Sequence, residues 1–146
     1  MTFEECVEGL RGRFLHHDTM DWDPTKSLRE SLTEGKVPDE PGVYVLSGLK
    51  DRDATVVYVG CAGTLRTAGT FKAQKLWGRL QAKQKRMSRQ AFFRKKLAEG
   101  GYTKLRIEWF QTWDERARRV PALEEAQLIQ AYLDDHGRLP PWNASF

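Results

Sequence analysis

The sequence predicts an α+β fold, in which a small, central, three-stranded and mainly antiparallel sheet is flanked by helices, with an extra helix at the N-terminus. Two apolar segments are separated by a short polar turn, as in a β-hairpin, and a third apolar segment follows later. Segments with apolar residues at helical spacing lie between and around them. The 146 residues suffice for one hydrophobic core. We expect a helical extension over residues 1–40 to pack on a domain over residues 41–146.

The N-terminal extension is expected to be mostly helical. Over residues 3–17 the apolar residues that share one helical face are Phe3, Val7, Leu10 and Phe14. A shorter helix is expected over residues 27–34, ended by Gly35. The acidic first helix either packs on the core or mediates assembly of a homodimer or larger complex, and the sequence leaves both open.

Three segments are typical of strands. Residues 42–47 and 54–60 form the expected hairpin around a turn at residues 48–53, and residues 103–112 alternate apolar and polar side chains. The segment over residues 54–60 is almost continuously apolar. We therefore expect this second strand to lie inside the sheet rather than at its edge.

Three further helices are expected after the hairpin. Two have basic faces and cover residues 74–87 and 88–99, the second capped by Ser88 and ended by Gly100-Gly101. The segment from residue 114 to residue 134 contains the longest helix, with Pro121 in its first turn. The residues expected to form its buried stripe are Leu123, Leu128, Ile129 and Tyr132.

Positive charge is concentrated in the middle of the chain. Residues 66–106 hold thirteen basic residues and a single acidic one, Glu99, whereas residues 1–41 hold ten acidic and five basic residues. Such a surface is either an ordinary solvated helix face or a site for the phosphates of a nucleic acid, and we favour the second interpretation. The residues expected to contact backbone phosphates are Arg66, Lys72, Lys75, Lys85, Arg86, Arg89, Arg94, Lys95 and Lys96.

The sequence offers little sign of export or of a membrane. Cys6 and Cys61 form neither a disulfide framework nor a metal-binding spacing, and no apolar run is long enough to span a bilayer. We expect a cytoplasmic protein without a membrane partner.

Two tyrosines occupy equivalent places on the expected hairpin. Tyr44 and Tyr58 are equally far from Asp51, so in a symmetric hairpin they lie opposite each other on one face. Taken alone, such a pair is more often packing than chemistry.

The order of motifs resembles the GIY-YIG nuclease family. Gly42-Val43-Tyr44 and Tyr58-Val59-Gly60 are similar to its two defining motifs. The segments that then resemble its arginine helix, its glutamate helix and its closing asparagine are Leu76-Trp77-Gly78-Arg79-Leu80, Glu124-Glu125-Ala126-Gln127-Leu128-Ile129 and Pro140-Pro141-Trp142-Asn143. The resemblance implies the family's small sheet flanked by helices.

The resemblance also implies a role for each matching residue. Tyr44 helps to deprotonate the attacking water, and Tyr58 holds the scissile phosphate or the water. Arg79 stabilises charge on the phosphate, Glu125 binds a single divalent cation (Mg²⁺ or Mn²⁺), and Asn143 supports the site. Because tyrosine has an unperturbed pKa near 10, it needs a nearby cation to act as a base at neutral pH.

Three of these assignments involve a choice. We prefer Glu125 to Glu124 as the metal ligand, since Glu124 lies about 100° round the helix and is expected to face solvent or the basic surface. Arg79 is preferred to Arg66 because its helix gives a rigid platform. Lys83, expected one helical turn after Arg79 on the same face, departs from the histidine of some family members. It either supplies charge near Tyr44 as a catalytic residue or only touches phosphate.

The function that these motifs imply is metal-dependent endonuclease activity on DNA, bound chiefly through its backbone phosphates. The alternatives are a non-cleaving nucleic-acid-binding module with the same fold, and a nuclease that acts on RNA. Restriction, repair and mobile-element roles are not separated by the sequence.

Overall fold

The computed structural model describes residues 1–72, 75–84 and 86–144, apart from the side chains of Lys72 and Gln84. The helices are α1 Phe3–Arg13, α2 Leu28–Glu34, α3 Leu76–Gln81, α4 Arg89–Gly100 and α5 Pro121–His136. The strands are β1 His17–Trp22, β2 Gly42–Lys50, β3 Asp53–Ala62, β4 Thr64–Leu65, β5 Phe71–Lys72, β6 Lys83–Gln84, β7 Met87–Ser88 and β8 Lys104–Gln111.

The chain has the predicted α+β architecture, but its main sheet has four strands. All neighbours in the order β1-β8-β2-β3 are antiparallel. The additional strand, β1, begins at His17, where we expected the N-terminal helix to end, although α1 ends at Arg13. Its side chains are mostly polar and only Trp22 is fully buried, so its apolar pattern gave no strand signal. The N-terminal part of the chain thus supplies an edge strand as well as helices, while the division at residue 41 stays a prediction.

Helices cover both faces of the sheet. One core contains buried side chains of α2, α3 and α4 together with Tyr44 and Leu46 of β2. The other contains side chains of α1 and α5 together with Val43 and Val45 of β2. Neighbouring residues of a strand point to opposite faces, so β2 contributes to both cores in alternation. No helix in the described part of the chain has the length and apolarity needed to cross a membrane.

The strand that we expected inside the sheet, β3, lies at its edge. Its apolar residues are explained by helices on both faces, whereas its open edge is covered by polar groups of the C-terminal segment. Trp142 donates its backbone N–H to the Val57 carbonyl at 2.8 Å, and the Asn143 side chain bonds to Val59. A continuous apolar pattern reports burial of the faces, not the position of the strand.

The first of the two basic helices is shorter than expected. We predicted a helix over residues 74–87, but α3 ends at Gln81 and the chain then forms the β6–β7 hairpin, with Arg86 at a positive φ of 68°. Residues 74 and 85 lie outside the described part. The second helix is confirmed as α4, with the Ser88 hydroxyl accepting the Ala91 N–H and Gly101 in the left-handed conformation.

The last helix agrees with its predicted start and end. Pro121 occupies its first turn, and Gly137 ends it at a φ of 69°. Leu123, however, is 43% exposed, while Glu124 is fully buried. The predicted stripe was therefore wrong at this position, because the buried face runs from Pro121 through Glu124 to Leu128, at spacings of three and four residues.

Candidate functional site

Tyr44 and Tyr58 share one face of the β2–β3 hairpin. Their rings are stacked, with centroids 6.0 Å apart and planes inclined by 24°. They are not directly opposite, since Tyr44 pairs with Gly60 and Tyr58 pairs with Leu46. Relative to the symmetric hairpin, the turn shifts the register by one residue and a bulge after Leu46 shifts it by one more. A total shift of two residues keeps both rings on one face of the sheet.

Gly60 makes room for the Tyr44 ring. A Cβ atom at this position would lie 2.6 Å from the Tyr44 hydroxyl oxygen and 2.7 Å from Cε1 of Tyr58. Tyr44 itself is 1% exposed. Burial, and next the neighbouring Tyr58, raise the pKa of Tyr44 above its usual value, while Arg89 and Arg79 act in the opposite direction. Tyr44 is therefore a neutral phenol at neutral pH.

Arg79 acts electrostatically on residues of both faces of the β2–β3 hairpin. Buried Leu76 and Leu80 anchor its helix, α3, in the core. Its positive charge opposes the burial that raises the pKa of Tyr44 on one face and the pKa values of Cys61 and Glu125 on the other. The Nε of Arg79 is buried and has no hydrogen-bond partner among the described residues. The guanidinium is thus close to three site residues without being tied to any of them.

Glu125 faces β3 from α5 and is half-buried. Burial raises the pKa of its carboxyl above the usual value, against the effects of Cys61 and Arg79. Burial, and next the Glu125 carboxylate, raise the pKa of the Cys61 thiol to about 12. Glu125 and Cys61 therefore lie together beside Arg79, on the opposite side of the strand edge from the tyrosines.

Glu124 points to a different part of the molecule. We expected it to face solvent or the basic surface, but its side chain is 0% exposed. Its carboxylate accepts hydrogen bonds from Arg13 Nη2 at 2.9 Å and from Arg119 Nε at 2.8 Å. The expectation was wrong because arginines of the α1 end and of the segment before α5 cover this side of the helix. Glu124 is fully paired within the protein.

Asn143 binds the backbone of β3 rather than another side chain. Its Oδ1 accepts the Val59 N–H at 3.0 Å, and its Nδ2 donates to the Val59 carbonyl at 2.9 Å. Val59 lies between Tyr58 and Gly60, so this pair of hydrogen bonds fixes the strand that carries the second tyrosine. The chain after α5 thus returns to the edge of the sheet.

Arg89 belongs to this region, although the sequence suggested only a surface contact with phosphate. It is 6% exposed, and its Cζ lies 6.0 Å from the centroid of the Tyr58 ring. Its Nε also has no hydrogen-bond partner among the described residues. One signal could have singled it out: a basic residue begins α4, where the helix dipole favours acidic residues.

Lys83 does not lie on the Arg79 helix. It is exposed in β6, because α3 ends at Gln81 before the next turn can form. The expected shared helical face of Arg79 and Lys83 is therefore wrong.

The other predicted phosphate contacts are in different environments. Arg66, Arg86 and Lys95 are exposed, and Lys75 and Lys96 are half-buried. Lys96 Nζ lies 3.7 Å from the Glu99 carboxylate.

Arg94 makes hydrogen bonds within the protein: its guanidinium donates to the Pro24 carbonyl at 2.7 Å and to the Lys26 carbonyl at 3.3 Å. Lys85 and the Lys72 side chain lie outside the described residues.

The carboxylates of the described residues do not form a conventional multi-residue metal site. Within residues 1–72, 75–84 and 86–144, no group of three or more His, Cys, Asp and Glu side chains could hold a metal ion. Glu125 is the single carboxylate beside Arg79 and Cys61 that the motifs assigned to a metal.

Comparisons with family models, with curated proteins and with solved structures found no match for this chain. Membership of the GIY-YIG family stays a prediction from the motifs.

Proposed function

We propose that the chain is a metal-dependent endonuclease, a hydrolase that cleaves DNA phosphodiester bonds in the manner the GIY-YIG resemblance implies. The observation that supports it best is the position of Arg79. This guanidinium acts electrostatically on Tyr44, Cys61 and Glu125 at once, and its Nε has no hydrogen-bond partner among the described residues. A cation of this kind, between phenols and a carboxylate, suits a phosphate anion.

The residues fit the charge changes of phosphodiester hydrolysis. Negative charge grows on the non-bridging and leaving oxygens during the reaction, and a preorganised guanidinium stabilises it. Arg79 supplies that guanidinium from the short helix α3, which Leu76 and Leu80 fix to the core.

Tyr44 and Tyr58 would position the phosphate and the attacking water. The raised pKa of Tyr44 means that it first acts as a hydrogen-bond donor, and that it accepts a proton only after ionising. Arg89 and Arg79 both favour that ionisation. A nearby cation is what a tyrosine base requires, but burial outweighs the two arginines in the protein without its substrate.

Glu125 is the residue that would hold the divalent cation. No ion pair of the described residues includes its carboxylate, in contrast to Glu124. A single carboxylate is compatible with Mg²⁺ or Mn²⁺, since such ions retain several waters and take further oxygens from the substrate phosphate. The bound ion supplies Lewis-acid stabilisation of the reacting phosphate.

A nicking assay on supercoiled plasmid tests this proposal. Wild type is expected to nick the plasmid with Mg²⁺ and not with EDTA. Glu125→Gln should lower the rate by at least about a hundredfold, as expected when a group that stabilises the transition state is removed. Asp134→Asn is the matched control, because it makes the same carboxylate-to-amide change at an exposed position of α5 and should retain the wild-type rate.

Two results would contradict the proposal in different ways. Absence of metal-dependent cleavage by pure wild type, on plasmid and on branched DNA, would reject the enzyme and favour a non-cleaving binding module. Equal activity of Glu125→Gln and wild type would reject the role of Glu125 alone. A parallel assay with RNA decides between the two nucleic acids. The cytoplasmic location and the homodimer stay predictions from the sequence.

A further inference from the structure

We propose that Arg89 is a second phosphate-binding residue, which together with Arg79 binds a phosphodiester anion beside the tyrosine pair without the help of a metal. The inference rests on the proposed function, because it concerns the same site. It adds a residue that the family motifs do not assign and a binding step that is independent of the cation.

The burial of Arg89 is the first observation. The residue is 6% exposed and its Nε has no hydrogen-bond partner among the described residues. Burial of a charged group without hydrogen bonds lowers stability, so buried guanidinium groups are normally paired. An anionic ligand would supply the missing acceptor.

The other buried or half-buried arginine clusters have their anions in the protein. Arg11 pairs with Glu108 at 2.7 Å, and Arg13 and Arg119 pair with Glu124 at 2.9 and 2.8 Å. No ion pair among the described residues includes Arg79 or Arg89. Among the buried and half-buried arginines that the structure describes, Arg79 and Arg89 are thus the two without a carboxylate partner.

The position of Arg89 in its helix adds positive potential. It is the first residue of α4, a helix of 12 residues with no acidic residue in its first turn. The N-terminal end of a helix carries partial positive charge, which repels an arginine and attracts an anion. Arg89 and the helix end therefore favour the same kind of ligand.

The Arg89 guanidinium lies against the tyrosine pair. Its Cζ lies 6.0 Å from the centroid of the Tyr58 ring, and the Tyr58 ring stacks on Tyr44. Arg89 and Arg79 both lower the pKa of the Tyr44 phenol, so both charges are close to this one hydroxyl. Two guanidinium groups that act on the same phenol suit a phosphate, whose several oxygens accept forked hydrogen bonds.

Binding of a fluorescein-labelled DNA duplex in EDTA, followed by fluorescence anisotropy at low salt, measures this interaction apart from cleavage. Arg89→Gln is expected to weaken binding about tenfold, the effect of losing a charge-assisted hydrogen bond. The matched control is Arg52→Gln at the exposed β2–β3 turn, which removes the same charge and should change the affinity less than about threefold. Equal losses in the two variants would overturn the inference, because they would reflect net charge alone.

Thermal unfolding of the same variants in EDTA, without DNA or phosphate, separates ligand binding from a structural role. A buried arginine whose anionic partner is the ligand does not stabilise the free protein. The Arg89→Gln variant should therefore unfold at or above the wild-type melting temperature. A fall of several degrees would overturn the inference, since it would show that the contact with Tyr58 mainly holds the fold together.

Arg89→Lys provides a second variant that keeps the buried charge. Lysine cannot form the forked pair of hydrogen bonds, so this variant should fold like wild type and bind the duplex several-fold more weakly. Wild-type affinity of the lysine variant would contradict a specific role for the guanidinium.

The nicking assay distinguishes failure of this inference from failure of the proposed function. Arg89-dependent binding in EDTA without any cleavage in Mg²⁺ would support the phosphate site and reject the nuclease. Cleavage in Mg²⁺ with unchanged binding and unchanged cleavage by Arg89→Gln would support the nuclease and reject this role of Arg89.

Discussion

Two adjacent glutamates of α5 lie in contrasting surroundings. Glu124 is fully buried and paired with Arg13 and Arg119, which are themselves 47% and 41% exposed. Glu125 is half-buried, faces Cys61 and Arg79, and belongs to no ion pair of the described residues. Both are carboxylates of the same helix, yet only one has its charge neutralised by the protein.

The difference shows that the protein pairs one glutamate of this helix with cations and leaves its neighbour without an ion-pair partner among the described residues. Two neighbouring positions of a helix are about 100° apart, so they face different parts of a three-layer fold. On the Glu124 side the protein supplies the cations that a buried carboxylate requires. On the Glu125 side the neighbouring guanidinium remains free to act on several groups, which is what a ligand-binding site needs.

The largest effect is expected when both cations of Glu124 are removed. Arg13→Gln combined with Arg119→Gln leaves a fully buried carboxylate without a charge partner and should lower the free energy of unfolding by about 3–5 kcal/mol. Urea denaturation followed by circular dichroism measures this change.

Arg106→Gln is the control for that experiment. It breaks an ion pair with Asp21 in which both side chains are partly exposed, at 43% and 38%, so its effect should stay below about 1 kcal/mol. A similar small loss in the double variant would contradict the structural role of the Glu124 cluster.

A smaller loss is expected at the tyrosine side of the comparison. Gly60→Ala introduces a Cβ atom 2.6 Å from the Tyr44 hydroxyl oxygen, so the ring must move. Forcing extra volume into a packed site should lower the free energy of unfolding by about 1–3 kcal/mol, and the displaced phenol should also slow any nicking.

Gly9→Ala serves as the matched substitution, because a Cβ atom at Gly9 in α1 meets nothing within 4 Å. It should raise stability by about 0.5–1 kcal/mol through the higher helix propensity of alanine. If the two glycine substitutions had the same effect, the tight packing at Gly60 would have no energetic meaning.

The smallest effect concerns two thiols, each of which reports on one glutamate. Burial and then Glu125 raise the pKa of Cys61 to about 12. Burial also raises the pKa of the Cys6 thiol. The Arg13 charge opposes this increase, and the Glu124 carboxylate adds to it. A raised thiol pKa means less of the reactive thiolate at pH 8, so removal of the carboxylate charge should increase reactivity.

Alkylation by iodoacetamide at pH 8 in EDTA, read by mass spectrometry, tests this pairing. Glu125→Gln should speed modification of Cys61, and Glu124→Gln that of Cys6, each by about two- to tenfold. Each variant is the control for the other, and acceleration of the same cysteine by both would indicate general loosening instead.

The local features of the fold were predictable because they depend on neighbouring residues. The Ser88 cap, Pro121 in the first turn of α5 and the stop at Gly137 follow from short-range geometry, and all are present. The β1 strand and the end of α3 were missed. An edge strand with polar side chains needs its partner, β8, and its pattern does not reveal that partner.

The candidate site was predictable in part. The common face of the two tyrosines was predicted correctly, because a register shift of two residues preserves the face, while the choice of Glu125 stays a prediction. Apart from a basic residue at the start of α4, nothing in the sequence indicated that Arg89 is buried beside Tyr58, because the first turn of α4 comes near the hairpin only after the helices pack on the sheet.

The sequence by itself determined the α+β class, the concentration of basic residues over residues 66–106 and the order of the candidate motifs. These properties are encoded in composition and in spacing along the chain. The tertiary structure alone decided which charges are neutralised: Glu124 by Arg13 of α1 and by Arg119 just before α5, Arg79 and Arg89 by no carboxylate of the described residues. Charge pairing depends on distances across the fold, and a one-dimensional pattern does not contain those distances.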